Sequence, residues 1–165
     1  MRQAISAVGL VGAGLVLGIL VTQPGTAQAD RIDGLRLNHV GVFVKDLNES
    51  VNFYTKVMGF QEAFSFKDKN GNPTTIYLQI NHDTFLELAA ATADRPVGLS
   101  HMGIWADDLN ATVATLRQRG VKVEDPHVGA SKAPLTNVTD PNGVRVELLE
   151  CGPESLQRKA MESWK

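Results

Sequence analysis

Residues 37–44 alternate in the way an edge-on strand does, with Leu37, His39, Gly41 and Phe43 on one face and Asn38, Val40, Val42 and Val44 on the other. The valine face is expected in the core. Asp46 stands as an N-cap before Leu47, Val51, Phe53, Tyr54, Val57 and Met58, whose spacing predicts a helix stripe that Gly59 stops. Residues 60–66 read as a second strand, Asn70-Gly71 as a hairpin turn, and residues 75–80 as a third strand with Thr75, Tyr77 and Gln79 on one face. After a turn at Asn81-His82-Asp83, residues 84–89 read as a fourth strand in which Phe85, Glu87 and Ala89 point together.

The pattern then starts again. LNHVGVFVKDLN from Leu37 and LSHMGIWADDLN from Leu99 align without a gap, and FLEL at Phe85 answers RVEL at Arg145. In the second copy Asp107 or Asp108 caps a helix carrying Leu109, Val113 and Leu116, Gly120 ends it, and strands are expected at 121–123, 135–139 and 144–149. Each half is therefore strand, helix, strand, strand, strand, with module one at 36–90, module two at 98–150 and a short linker between. A tail, 151–165, has the spacing of a terminal helix showing Leu156, Ala160, Met161 and Trp164.

Composition narrows the classes. With 165 residues, 43% hydrophobic, 21% charged and a net charge of -2, the chain has the makeup of one globular domain and no basic footprint for nucleic acid. Its first residues differ. Met1-Arg2-Gln3, an apolar run from Ala4 to Val21 and a final Ala27-Gln28-Ala29 are the three parts of a signal peptide, 1–29, with cleavage before Asp30 and a secreted or periplasmic product. Left uncleaved, the run would be a membrane anchor. Cys151 is the only cysteine, so no intramolecular disulfide can contribute.

Duplication brings the chemistry. His39 and His101 sit at identical positions of the repeated first strands, and Glu87 and Glu147 at matched positions of the repeated fourth strands. Two halves related by a pseudo-two-fold would bring two imidazoles and two carboxylates to one centre. That donor set suits Ni, Co, Mn, Zn or Fe and leaves coordination positions open for water or substrate. A buried glutamate without a partner would be costly, and a cation removes that cost. His82 and His127 have no repeat mate and read as surface residues.

The stretches Leu37–Gly41, Asn52–Phe60, Leu86-Glu87-Leu88, Ser100–Gly103 and Asp140–Gly143 with Glu147-Leu148 resemble the vicinal oxygen chelate superfamily of glyoxalase I, bleomycin and fosfomycin resistance proteins, methylmalonyl-CoA epimerase and extradiol dioxygenases. The resemblance implies an α+β fold of two tandem βαβββ modules whose mixed sheet curls into a cup. The His, Glu, His, Glu set looks most like bacterial glyoxalase I. That implies His39, Glu87, His101 and Glu147 as metal ligands and a lyase or isomerase passing a proton through a metal-bound enediolate. Glu147 is expected as the base and Glu87 as its partner. Phe43 departs from the family, since it stands where glyoxalase I has an arginine for glutathione, and this argues against a glutathione adduct. Tyr77, Gln79, Asn137 and Arg145 fall on faces expected to line the cup and are candidate substrate contacts.

Two other readings stay open. An Fe(II)-dependent extradiol-type dioxygenase would use His39, His101 and Glu147 and leave Glu87 idle. A non-catalytic small-molecule binder of the antibiotic-resistance type would not need the ligand set. Expected partners are a small-molecule substrate and, by family habit, a second copy in a homodimer.

Overall fold

In the computed structural model, residues 29–165 are described, and the predicted signal peptide lies outside them apart from its last residue. Eight strands form one sheet in the order β2-β3-β4-β1-β5-β8-β7-β6. Module one supplies β1 (Leu35–Val44), α1 (Leu47–Asn52), β2 (Gln61–Lys67), β3 (Pro73–Gln79) and β4 (Phe85–Ala90). Module two supplies β5 (Gly98–Ala106), α2 (Leu109–Gln118), β6 (His127–Val128), β7 (Pro134–Thr139) and β8 (Arg145–Leu149), followed by α3 (Leu156–Ser163). Each first strand lies parallel to its own fourth strand, β1 with β4 and β5 with β8. The modules join edge to edge through the antiparallel pair β1 and β5. Ile32–Lys165 form one compact unit, and among the described residues no helix is long and apolar enough to cross a membrane.

Three apolar clusters divide the two faces of the sheet. On the helix side of module one, Val44, Ile76, Leu78, Leu86 and Leu88 pack with Leu47, Val51 and Tyr54. On the helix side of module two, Ala106, Leu109, Val113, Val123 and Leu148 pack with Ile104 and Leu116. The third cluster fills part of the opposite, concave face, where Tyr77, Phe85, Trp105 and Leu149 of the sheet meet Ala160 and Met161 of α3. The tail is thus a helix seated inside the cup. Its buried stripe is Gln157, Ala160 and Met161, while Leu156 and Trp164 are only partly buried.

The predicted N-caps form. Asp46 accepts from the Glu49 N–H, and of the two candidates in module two it is Asp108 that caps, accepting from the Ala111 N–H. The stripe after α1 is corrected. The chain widens into a π-helical turn over Phe53–Val57, and the extra residue per turn rotates the apolar face. Tyr54 points inward while Phe53 and Val57 are 50% and 70% exposed. The strand expected at 121–123 is also corrected. Arg117 bonds the Val123 carbonyl through Nε and Nη2 at 3.1 and 2.8 Å, so a side chain takes the place of a ladder partner, and β6 is only two residues long.

Candidate metal centre

The central pair β1/β5 carries both histidines. His39 lies opposite Gly103, and Gly41 opposite His101, so each imidazole rests on the glycine of the other repeat. A Cβ on Gly103 would fall 2.0 Å from His39 Cε1, and one on Gly41 2.3 Å from the His101 ring. The repeated His-x-Gly is therefore a packing requirement, each glycine leaving the room that the partner ring fills.

A β-bulge precedes each histidine, because the register slips between Leu37 and His39 on one strand and between His101 and Leu99 on the other. The extra residues are Asn38 and Ser100. Strict alternation assigned Asn38 to the valine face, but the bulge swings it beside its neighbour, with Oδ1 3.0 Å from His39 Nδ1. Ser100 Oγ lies 3.1 Å from His101 Nδ1. The Asn38 amide nitrogen is directed to the Asp83 carbonyl and the Cys151 sulfur at 3.4 and 3.8 Å, which orients its oxygen toward the ring. An amide oxygen only accepts, so His39 Nδ1 carries the proton and Nε2 presents its lone pair to the centre. The sequence reading gives neither residue a role at the site; the available signal is a polar side chain before the histidine in both copies. Cys151, outside the expected strands, is buried, and burial pushes its thiol up to about 12.

Glu87 pairs with Gly41 across β4/β1, and Glu147 with Gly103 across β8/β5, which sets a carboxylate on either side of the imidazoles. The two Nε2 atoms are 2.9 Å apart. Glu87 Oε2 is 3.3 Å from His101 Nε2 and 3.5 Å from His39 Nε2. His39, Glu87 and His101 offer ligand atoms that all lie within 4.8 Å of one another. Glu147 stands outside that mutual group, with Oε1 3.7 Å from His39 Nε2 and Oε2 drawn to Arg145 at 3.4 Å. The separations suit an ion. Ligands at right angles on bonds of about 2.1 Å lie about 3 Å apart, and once His101 gives up its Nε2 proton the two buried imidazoles can both turn a lone pair to an ion. All of these groups come from one chain.

Electrostatics separates the two carboxylates. Burial pushes Glu87 up, but hydrogen bonds from His101 and from the Tyr77 hydroxyl, at 2.6 Å, outweigh it and hold the carboxyl below its ordinary value. For Glu147 burial wins, and its carboxyl is raised despite His101 and Arg145. Burial also holds the His39 imidazole down at about 4, so it is neutral near pH 7. Tyr77, buried beside Glu87, has its phenol pushed well above 10 and stays a donor.

A cavity of about 240 Å³ opens over this group, lined by Tyr77, Glu87, His101, Arg145 and Glu147 with Phe66, Leu135 and Ser131 at its walls. Tyr77 and Arg145 therefore lie where the sequence reading puts them. Gln79 does not: it is buried, and its amide bonds the His82 carbonyl at 2.8 Å, closing the turn between β3 and β4. Asn137 is not among the lining residues either; its Oδ1 accepts from Arg145 Nη1 at 3.0 Å and so steadies a residue that is.

With this fold and donor set in view, comparison with known proteins gives the class. The model of the Glyoxalase/Bleomycin resistance protein/Dioxygenase superfamily matches residues 36–148. The chain belongs to that superfamily. Among relatives, it is 27% identical to "Probable lactoylglutathione lyase, chloroplastic" of Arabidopsis thaliana over 93% of this chain, but spans only 46% of that protein. It is 28% identical to mitochondrial methylmalonyl-CoA epimerase of Dictyostelium discoideum, covering 70% of this chain and 78% of the relative. Among solved structures, methylmalonyl-CoA epimerase from Mycobacterium tuberculosis superposes with a TM-score of 0.61 at 22% identity, covering 72% of this chain and 89% of that one. The two-module fold expected from the resemblance is borne out.

Proposed function

We propose that the protein is a divalent-metal-dependent lyase or isomerase of the glyoxalase I type, moving a proton between adjacent carbons of a small oxygenated substrate. The observation that carries the reading is the pair of opposed Nε2 atoms, 2.9 Å apart, with Glu87 and Glu147 on either side. His39, His101 and Glu87 would hold the ion, with Glu147 as fourth ligand or base. A bound divalent ion supplies Lewis acidity to the substrate's oxygens and so acidifies the neighbouring C–H. Glu147 takes that proton and returns it at the adjacent carbon, a role that its raised affinity for a proton supports. Glu87, held by Tyr77, stays ionised and fixed in place. Asn38 and Ser100 keep the rings turned. Relatives named as a lyase and as an epimerase support the same reaction class.

Glu87 also weighs against a dioxygenase, because it lies within 3.5 Å of both imidazoles and would have no duty there. Calorimetric titration with Ni, Co, Mn, Zn and ferrous iron tests the proposal, with at least one expected to bind one ion per chain. Binding of none overturns it. Export is part of the proposal: residues 1–29 are removed before Asp30, and an intact Met1 in the mass of protein taken from the native host would refute that.

A further inference from the structure

The cavity over the centre is small, and the tail packs beside it. Ala160 and Met161 of α3 occupy the concave face beside Tyr77 and Phe85. The loop that carries Ser131 is tied to the start of the same helix, the Leu156 N–H donating to the Ser131 carbonyl at 2.8 Å. The remaining space, about 240 Å³, lies below the roughly 300–1,000 Å³ usual for drug-sized ligands. Its walls are otherwise uncharged outside the His and Glu set, and Arg145 is the single cation among the described residues that line it.

Arg145 is held ready for a ligand. Both of its contacts, to Asn137 Oδ1 at 3.0 Å and Glu147 Oε2 at 3.4 Å, are made by Nη1. Nη2 and Nε, the edge of the guanidinium that grips a carboxylate with two parallel bonds, have no protein acceptor among the described residues. The side chain is 41% exposed, open to the cavity mouth yet anchored. The charge count agrees. Two carboxylates offset a divalent ion, and the Arg145 charge is left for an anion to meet.

We infer that the substrate is a small free acid, its carboxylate gripped by Arg145 and its oxygens facing the centre, without a peptide or nucleotide thioester carrier. This rests on the proposed metal-dependent function, and it parts from the relatives whose names specify lactoylglutathione or methylmalonyl-CoA. The test is calorimetric binding of hydroxymalonate, its dimethyl ester and S-lactoylglutathione to the full mature chain loaded with Mn or Co. Hydroxymalonate is expected to bind at least tenfold more tightly than either other probe. Arg145→Met should abolish that preference and Arg145→Lys should recover part of it, both with metal affinity within threefold of the parent. Asn137→Ala, which frees the guanidinium without removing it, should weaken hydroxymalonate severalfold. If metal binds but S-lactoylglutathione binds more tightly than hydroxymalonate, or Arg145→Met leaves hydroxymalonate binding unchanged, the inference is wrong and the metal reading stands. Failure to take up metal at all removes both.

Discussion

The two modules share a scaffold and differ at two positions that set the surroundings of each carboxylate. In module one the strand neighbours of Glu87 are Tyr77, across β3/β4, and Phe85, two residues earlier on its own strand. At the matched places module two has Asn137 and Arg145 around Glu147. The hydroxyl of Tyr77 pins Glu87 at 2.6 Å and helps hold it ionised, whereas Arg145 touches Glu147 at 3.4 Å and leaves burial to raise it. Duplication supplies a symmetric cradle, and in the function proposed above the departures from symmetry divide the labour between a fixed ligand and a proton carrier.

Exchanging the carboxylates one at a time tests that division most sharply. Glu147→Gln should lower turnover by roughly 10²–10⁴-fold while keeping most of the metal affinity, as expected for loss of a general base. Glu87→Gln should chiefly weaken metal binding. Equal effects of the two variants on metal affinity and on rate would erase the distinction. The cradle should, by contrast, behave symmetrically. Gly41→Ala and Gly103→Ala each push a methyl into the opposite imidazole, and each should cost about 100-fold or more in metal affinity by calorimetry, the upper end of what a misplaced outer-shell partner costs.

Smaller effects sharpen the asymmetry. Tyr77→Phe removes the donor to Glu87 and should weaken metal binding about tenfold. Asn137→Ala should leave metal affinity nearly unchanged, since Asn137 acts on Arg145. A last effect, on stability and not on the metal, is expected of the metal-free protein in acid. Because burial holds His39 at about 4 against 6.5 when free, the unfolded chain takes up a proton that the native chain refuses between those values. Stability should therefore be level above about pH 6.5 and fall as pH drops toward 4, with Glu147, shifted upward, opposing at the acid end. Thermal melts across that range should show it, and His39→Asn should flatten the curve.

The repeat carried most of the architecture into view, since a gapless match of first strands and an echo of the fourth strands fix which residues can meet. What stayed hidden is local geometry. Alternation has no means of announcing a bulge, so it puts Asn38 on the valine face although Asn38 braces His39. Nor does spacing alone distinguish a π-helical turn, which is why it puts Phe53 and Val57 in the stripe that Tyr54 occupies. Gln79 shares a strand face with Tyr77, yet it lies at the strand end, where the turn at His82 claims its amide. The glycines were visible as repeated letters, but their purpose depends on strands 62 residues apart in sequence lying side by side.

The superfamily match stops at residue 148, and the helix that packs beside the chamber begins at Leu156. A polypeptide trimmed to the matched stretch would retain each histidine, glutamate and glycine discussed above, yet it would lose Ala160 and Met161 from the cluster beside Tyr77 and the bond that ties down the Ser131 loop. The segment that the family match leaves out thus packs on the face that carries the candidate centre, and altering it offers a route to reshaping that chamber without touching His39, Glu87, His101 or Glu147.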